Sequence, residues 1–160
     1  MFTFTPSPDL STTELWADLR SAALGITEGE PDRIANMANV AALLFAGLPR
    51  VNWAGWYRVV GGELVLGPFG GGPACVRIGW GQGVCGAAAA SGMTQRVADV
   101  HAFAGHIACD AATRSELVVP VLAEGRVTAV LDLDSSEPDR FSPDDARGAE
   151  ALVAALAGRV

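Results

Sequence analysis

Three cysteines, Cys75, Cys85 and Cys109, fall between Gly70 and Glu116, around glycine-rich or loop-like segments. Glu116 opens the apolar run "ELVVPVLA", and "LDLD" sets Asp132 and Asp134 two residues apart. A single cysteine is most often a small core hydrophobe. Three gathered near loops shift the balance toward thiols that bind or react. The two aspartates share one face of a strand, which turns Leu131 and Leu133 the other way, into the core. Like charges held together and buried raise at least one pKa, so a carboxylic acid can stay protonated near neutral pH. The plainer alternative is an exposed strand end, and the nearby cysteines weigh against it.

Two other patterns are weaker. "GQGVCG", Gly81 to Gly86, matches the dinucleotide fingerprint G-x-G-x-x-G. Its helix is short and its neighbours read as hairpins rather than parallel βαβ units, so it is better read as tight turns that aim backbone N–H groups at a pocket. His101, His106 and Cys109 could ligate a metal, but their spacing matches no zinc pattern and no CxxC occurs. No metal and no cofactor are expected.

These residues need a scaffold. The chain has 160 residues, half of them hydrophobic, and a net charge of −7. That is one domain's worth of chain, with enough apolar material for a core. The acidic balance argues against nucleic acid. No apolar run has the length of a membrane span. The N-terminus lacks the pattern of a signal peptide, so a cytoplasmic location is expected. The odd cysteine count makes a poor disulfide framework.

"STTE", Ser11 to Glu14, has the spacing of a capping box, and Leu15, Trp16, Leu19, Ala22 and Ala23 follow at helical spacing. A second helix is predicted from about Asp32 to Phe45, with Ile34, Met37, Ala38, Ala41, Leu44 and Phe45 inward. "NWAGWYRVV", Gly61-Gly62 and "ELVLGPF" read as a hairpin. Gly70 to Gly72 then open a flexible loop before a short strand, "ACVRI". A turn and a short helix follow, then a short strand near Gln95 to Val97 and an irregular stretch over 99–114. "SELVVPVLA", Glu124-Gly125 and "RVTAVLDLD" form a second hairpin, and Ser142 caps a C-terminal helix. Hairpins with helices from both chain ends give an α+β domain. The expected layout is helices over about 11–46, sheet and active-site loops over about 51–135, and a last helix over about 143–158.

The motifs "NWAGWY", "LVLGPF", "ACVRI", "ADVHAF" and "VLDLDS", with all three cysteines in order, resemble the free methionine-(R)-sulfoxide reductases, which are built on a GAF domain. The resemblance runs from about Asn52 to Phe141. "GGGPA" departs mildly from the family pattern in a segment that covers the substrate. The resemblance implies a six-stranded antiparallel sheet with helices on one face and a ligand pocket on the other. It implies Cys109 as the nucleophile, Cys75 as the main resolving thiol and an auxiliary role for Cys85. Glu116, Asp132 and Asp134 correspond to the acids that bind the sulfoxide oxygen and the free amino group. Trp53 corresponds to the aromatic wall, with Tyr57 also in the substrate site. The implied partners are free methionine sulfoxide, a thioredoxin-type dithiol and a second copy in a homodimer. A GAF sensor that binds a small molecule without turnover is the alternative. Among the acids, Asp134 is the expected proton donor, and Asp132 and Glu116 are expected to act more through binding.

One register conflicts with this assignment. A two-residue turn at Glu124-Gly125 pairs Ala123 with Arg126 and therefore Leu117 with Asp132. Glu116 then points away from the aspartates. A bulge, or a Glu116 lying just before the ladder, would bring it back.

Overall fold

Ser11 caps α1 (Thr12–Ile26) through the expected box: its hydroxyl accepts from Glu14 N, and the Glu14 carboxylate accepts from Ser11 N at 2.9 Å. This computed structural model describes residues 4–7, 9–105 and 112–160. Asp32 caps α2 (Arg33–Gly47) by accepting from Ala35 N at 2.9 Å. The buried face of α2 is rotated from the expected one. Met37, Ala41 and Leu44 are buried, but Ile34, Ala38 and Phe45 are exposed. Asn36 takes part of that seam because its amide donates to Glu30 O at 3.0 Å and to Arg159 O at 2.9 Å. Two backbone acceptors, one before α2 and one near the C-terminus, thus hold a polar side chain inward, against the apolar pattern.

The strands are β1 (Trp53–Val60), β2 (Glu63–Gly71), β3 (Arg77–Ile78), β4 (Gln95–Val97), β5 (Ser115–Ala123) and β6 (Arg126–Ser135). They form one antiparallel sheet in the order β3-β2-β1-β6-β5-β4. A short helix, α3 (Gly83–Ser91), links β3 to β4, and α4 (Pro143–Leu156) follows β6. Gly70 and Gly71 belong to β2 and pair with Ala54 and Trp53, so the loop expected there starts later. A Cβ on Gly70 would lie 2.9 Å from Phe45, so glycine here admits close packing of α2 rather than flexibility.

The sheet separates two cores. On one face Ala54, Trp56, Leu117, Leu131 and Leu133 pack with Trp16, Leu44, Leu152 and their neighbours from α1, α2 and α4. On the other, Trp53, Tyr57, Val118 and Val130 pack with Val84, Cys85 and Ala88 of α3. A buried polar lock closes the helical layer. Asp145 accepts from Trp16 Nε1 at 3.0 Å and pairs with Arg140 at 3.2 Å, and Arg140 Nε donates to Pro49 O at 2.8 Å. Among the described residues, no helix is long and apolar enough to cross a membrane.

Candidate active site

The hairpin β5–β6 decides which side chains meet. The turn does pair Ala123 with Arg126 and Leu122 with Val127, but Val121 then faces Ala129. Thr128 is the extra residue, and its hydroxyl donates to Val121 O at 3.4 Å. This β-bulge shifts the register by one, so that Leu117 faces Leu133 and Glu116 faces Asp134. Glu116, Asp132 and Asp134 therefore stand on one face, opposite the helical core. The bulge settles the register conflict in favour of the clustered acids.

β1 adds the aromatic side. Trp53 pairs with Asp134 and Gly55 with Asp132. Trp53 stacks on Phe69 at 5.3 Å and on Tyr57 at 6.0 Å between ring centroids. Gly55 is required there, because a Cβ would lie 2.5 Å from the Trp53 ring. Two hydrogen bonds tie these rings to the segment after β2: Trp53 Nε1 donates to Gly72 O and the Tyr57 hydroxyl to Cys75 O, each at 3.0 Å.

The roof is α3 and the turn before it. Gly81 and Gly83 take positive φ, at 78° and 61°, which glycine tolerates. Gln82 caps the helix by backbone conformation alone, without a side-chain hydrogen bond. The first N–H groups of α3 lack intrahelical acceptors, as at any helix start, and with the helix dipole they suit an anion. Gln82, Gly83, Val84 and Cys85 line a small cavity of about 40 Å³ together with Trp53, Tyr57 and the three acids. The "GQGVCG" turn thus serves a pocket, as its hairpin context suggested.

The electrostatics are unusual. Glu116 and Asp132 are each only 6 % exposed. Burial first, then the neighbouring Asp132 and Asp134, raise the Glu116 carboxyl well above the ordinary range. Burial also pushes Asp132 up to about 6, although contacts with Cys85, Glu116 and the Leu133 amide pull it partly back. The Cys85 thiol donates to Glu116 Oε1 at 3.9 Å and is raised by burial, then by Asp132 and Glu116. Burial and the same acids raise the Tyr57 phenol. Two buried polar atoms in the cavity wall, Asp132 Oδ1 and Thr113 Oγ1, find no hydrogen-bond partner among the described residues. Such atoms await a ligand or cost stability. Thr113 carried no signal in the sequence. Among the described residues, Cys85, Glu116 and Asp132 bring ligand atoms within 4.8 Å of one another and are the group that could hold a cation.

Of the expected site residues, the structure gathers Trp53, Tyr57, Cys85, Glu116, Asp132 and Asp134 around this cavity. Cys75 lies in the segment between β2 and β3, is half-buried and is disulfide-bonded, whereas Cys85 is a free thiol. Cys109 and His106 lie outside the described residues. His101 is exposed on a 3-10 turn, Val100–Ala102.

A stability consequence follows from Asp132. An acid whose pKa is raised by folding costs nothing below its unfolded value near 4. The cost grows as pH rises and is complete above about 6. Asp132→Asn is expected to stabilise the ligand-free protein by about 1–3 kcal/mol at pH 8, with the gain shrinking toward pH 4. Urea unfolding of both proteins at the two pH values checks this; equal stability at pH 8 would refute it.

The GAF domain profile matches residues 35–158. The free methionine-R-sulfoxide reductase of Escherichia coli (strain K12) is 47% identical over 147 residues, covering 92% of this chain and 89% of that one. The protein of the same name from Saccharomyces cerevisiae is 36% identical over 155 residues, covering 92% and 86%. The X-ray structure of free methionine-R-sulfoxide reductase from Neisseria meningitidis in complex with its substrate superposes with a TM-score of 0.92 at 39% identity, covering 99% of this chain and 94% of that one.

Proposed function

This chain belongs to the GAF-domain family, in the branch of the free methionine-R-sulfoxide reductases, and from that premise we propose that it reduces free L-methionine-(R)-sulfoxide to L-methionine. The observation that carries the reading is the convergence of three acids under an aromatic wall, facing the bare N-terminus of α3 in one cavity.

In the proposed reaction a Cys109 thiolate attacks the sulfoxide sulfur. The oxygen takes a proton from a cavity carboxyl group and passes to the cysteine as sulfenic acid, and methionine leaves. The thiol is oxidised by two electrons and the sulfoxide is reduced by two. Cys75 condenses with the sulfenic acid, releasing water and forming a disulfide. An external dithiol of the thioredoxin type reduces that disulfide by exchange. The disulfide-bonded state of Cys75 supports its resolving role.

The carboxyl groups divide the remaining work. An ionised Asp132 or Asp134 pairs with the substrate ammonium, and the raised Glu116 keeps its proton for the oxygen. Asp134 was the sequence-based choice of donor; burial and two acidic neighbours favour Glu116. The N–H groups of α3 receive the substrate carboxylate, and Trp53 packs against its methyl group. Peptide-bound methionine sulfoxide lacks both charges, so it would leave these groups unpaired.

The expected result is rapid reduction of the free R epimer with a dithiol. A sulfoxide-containing peptide, which leaves buried polar groups unpaired, and the S epimer, whose oxygen points away from the proton-donating carboxyl group, should each react at least about 10²-fold more slowly. Separate assays of methionine release from each compound decide it. Equal rates on the peptide would refute the closed-pocket reading. Saturable binding of the free sulfoxide with no methionine release would favour the sensor.

A further inference from the structure

We propose that Cys85 positions the acid cluster and stays outside the disulfide chemistry: its thiol hydrogen-bonds Glu116, and the head of α3 fixes it there. The inference rests on the reading above that this cavity reduces a sulfoxide.

Geometry makes the thiol a neighbour of the acids. Its sulfur is 3.9 Å from Glu116 Oε1 and within 4.8 Å of a carboxylate oxygen of Asp132. The surrounding backbone packs closely about it. Cys85 is in the first turn of α3 and only 3 % exposed. The turn before it is tied to the helix by Gly81 N to Gly86 O, Gln82 N to Gly79 O and Gly86 N to Gln82 O, all at 3.0 Å. A Cβ on Gly86 would lie 2.5 Å from Gly79 O, so turn and helix are in closest contact. Joining this sulfur to another at the roughly 2 Å of a disulfide bond would remove the S–H that Glu116 accepts from. Cys75 is placed differently. Gly72, Pro73 and Val76 around it are exposed, and none of them belongs to a helix or strand.

Charge explains what a thiol does here. Among the described residues, the titratable groups around it are Tyr57 on β1, Glu116 on β5, and Asp132 and Asp134 on β6. The arginines of β3 and β4 are engaged elsewhere: Arg77 pairs with Glu63, and Arg96 with Asp139 and Phe141 O. In this setting Cys85 remains an S–H donor rather than a thiolate. Its donation lowers the pKa of both Glu116 and Asp132. Without it, the acid that protonates the substrate oxygen would hold its proton to higher pH.

Cys85→Ala and Cys85→Ser in the full chain test this by single-turnover methionine release against pH, with mass-spectrometric mapping of the disulfide. Each variant is expected to complete one turnover and form the same Cys75 disulfide as the parent. In Cys85→Ala the alkaline limb should move up by about one pH unit, on the scale of one lost hydrogen bond. Cys85→Ser, which keeps a donor, should bring the limb back toward the parent. A disulfide containing Cys85 in the parent would overturn the inference, as would a Cys85→Ala profile superimposable on the parent's. A parent that releases no methionine would instead refute the proposed function itself.

Discussion

Cys109→Ser is expected to release no methionine from free L-methionine-(R)-sulfoxide, not even one equivalent per chain. The proposed reaction has one step that only a thiolate performs, the attack on the sulfoxide sulfur. A serine hydroxyl offers neither the nucleophilicity nor a stable oxidised product at its oxygen. Cys75→Ser should behave differently, releasing one equivalent and then stalling as a sulfenic acid when thioredoxin is the reductant, because no disulfide forms for it to reduce. Small thiols can attack the sulfenic acid directly and relieve that block. Rapid-quench methionine counts, with trapping of the sulfenic acid, separate the two variants. A full equivalent from Cys109→Ser would move the nucleophile to another thiol. Sustained turnover of Cys75→Ser with thioredoxin would remove Cys75 from the resolving role.

Much of the fold was legible because its punctuation is local. Ser11 and Ser142 announce their helices through hydroxyls that accept from the third residue on, and Asp32 does the same through its carboxylate. Gly61-Gly62 and Glu124-Gly125 mark the hairpin turns. Where the reading failed, the cause was tertiary. Ile34 and Phe45 fit the apolar period of α2, yet their positions face solvent, and a buried Asn36 holds the seam through acceptors at Glu30 and Arg159. Gly70 reads as a flexible loop and is in fact a packing site for Phe45. Phe45 is far from Gly70 in sequence, as Arg159 is from Asn36.

The site was legible in its parts but not in its register. Alternation places Asp132 and Asp134 together, because a strand's period of two is a local property. Joining Glu116 to them takes one extra residue, Thr128, whose effect is non-local: it turns every side chain of β5 beyond it to the other face. Nothing in "EGRVTAV" announces a bulge. Thr113 escaped notice for the opposite reason. Its type and neighbours are ordinary, and only its burial in the cavity wall, with a hydroxyl that finds no partner among the described residues, sets it apart.

Glu116→Gln should slow the chemical step by about 10²-fold or more, the usual scale of a general acid. Expelling oxygen from sulfur without a proton is costly, and lysine is absent from the chain. Glu116 combines near-complete burial with two acidic neighbours, and both oppose the loss of its proton. The sign of the pH dependence follows. A general acid works while protonated, so the parent's rate should hold as pH rises past the ordinary carboxyl range and fall only on passing the raised value. Glu116→Gln keeps the shape and loses the proton, so its residual rate should lack that alkaline limb. Asp134→Asn is the informative comparison. It removes a charge that raises Glu116, and should therefore move the limb to lower pH while costing less in rate at acidic pH. Single-turnover methionine release from pH 5 to 9 reads both effects. A Glu116→Gln protein with the parent's rate and limb would assign the proton to Asp134 or to water.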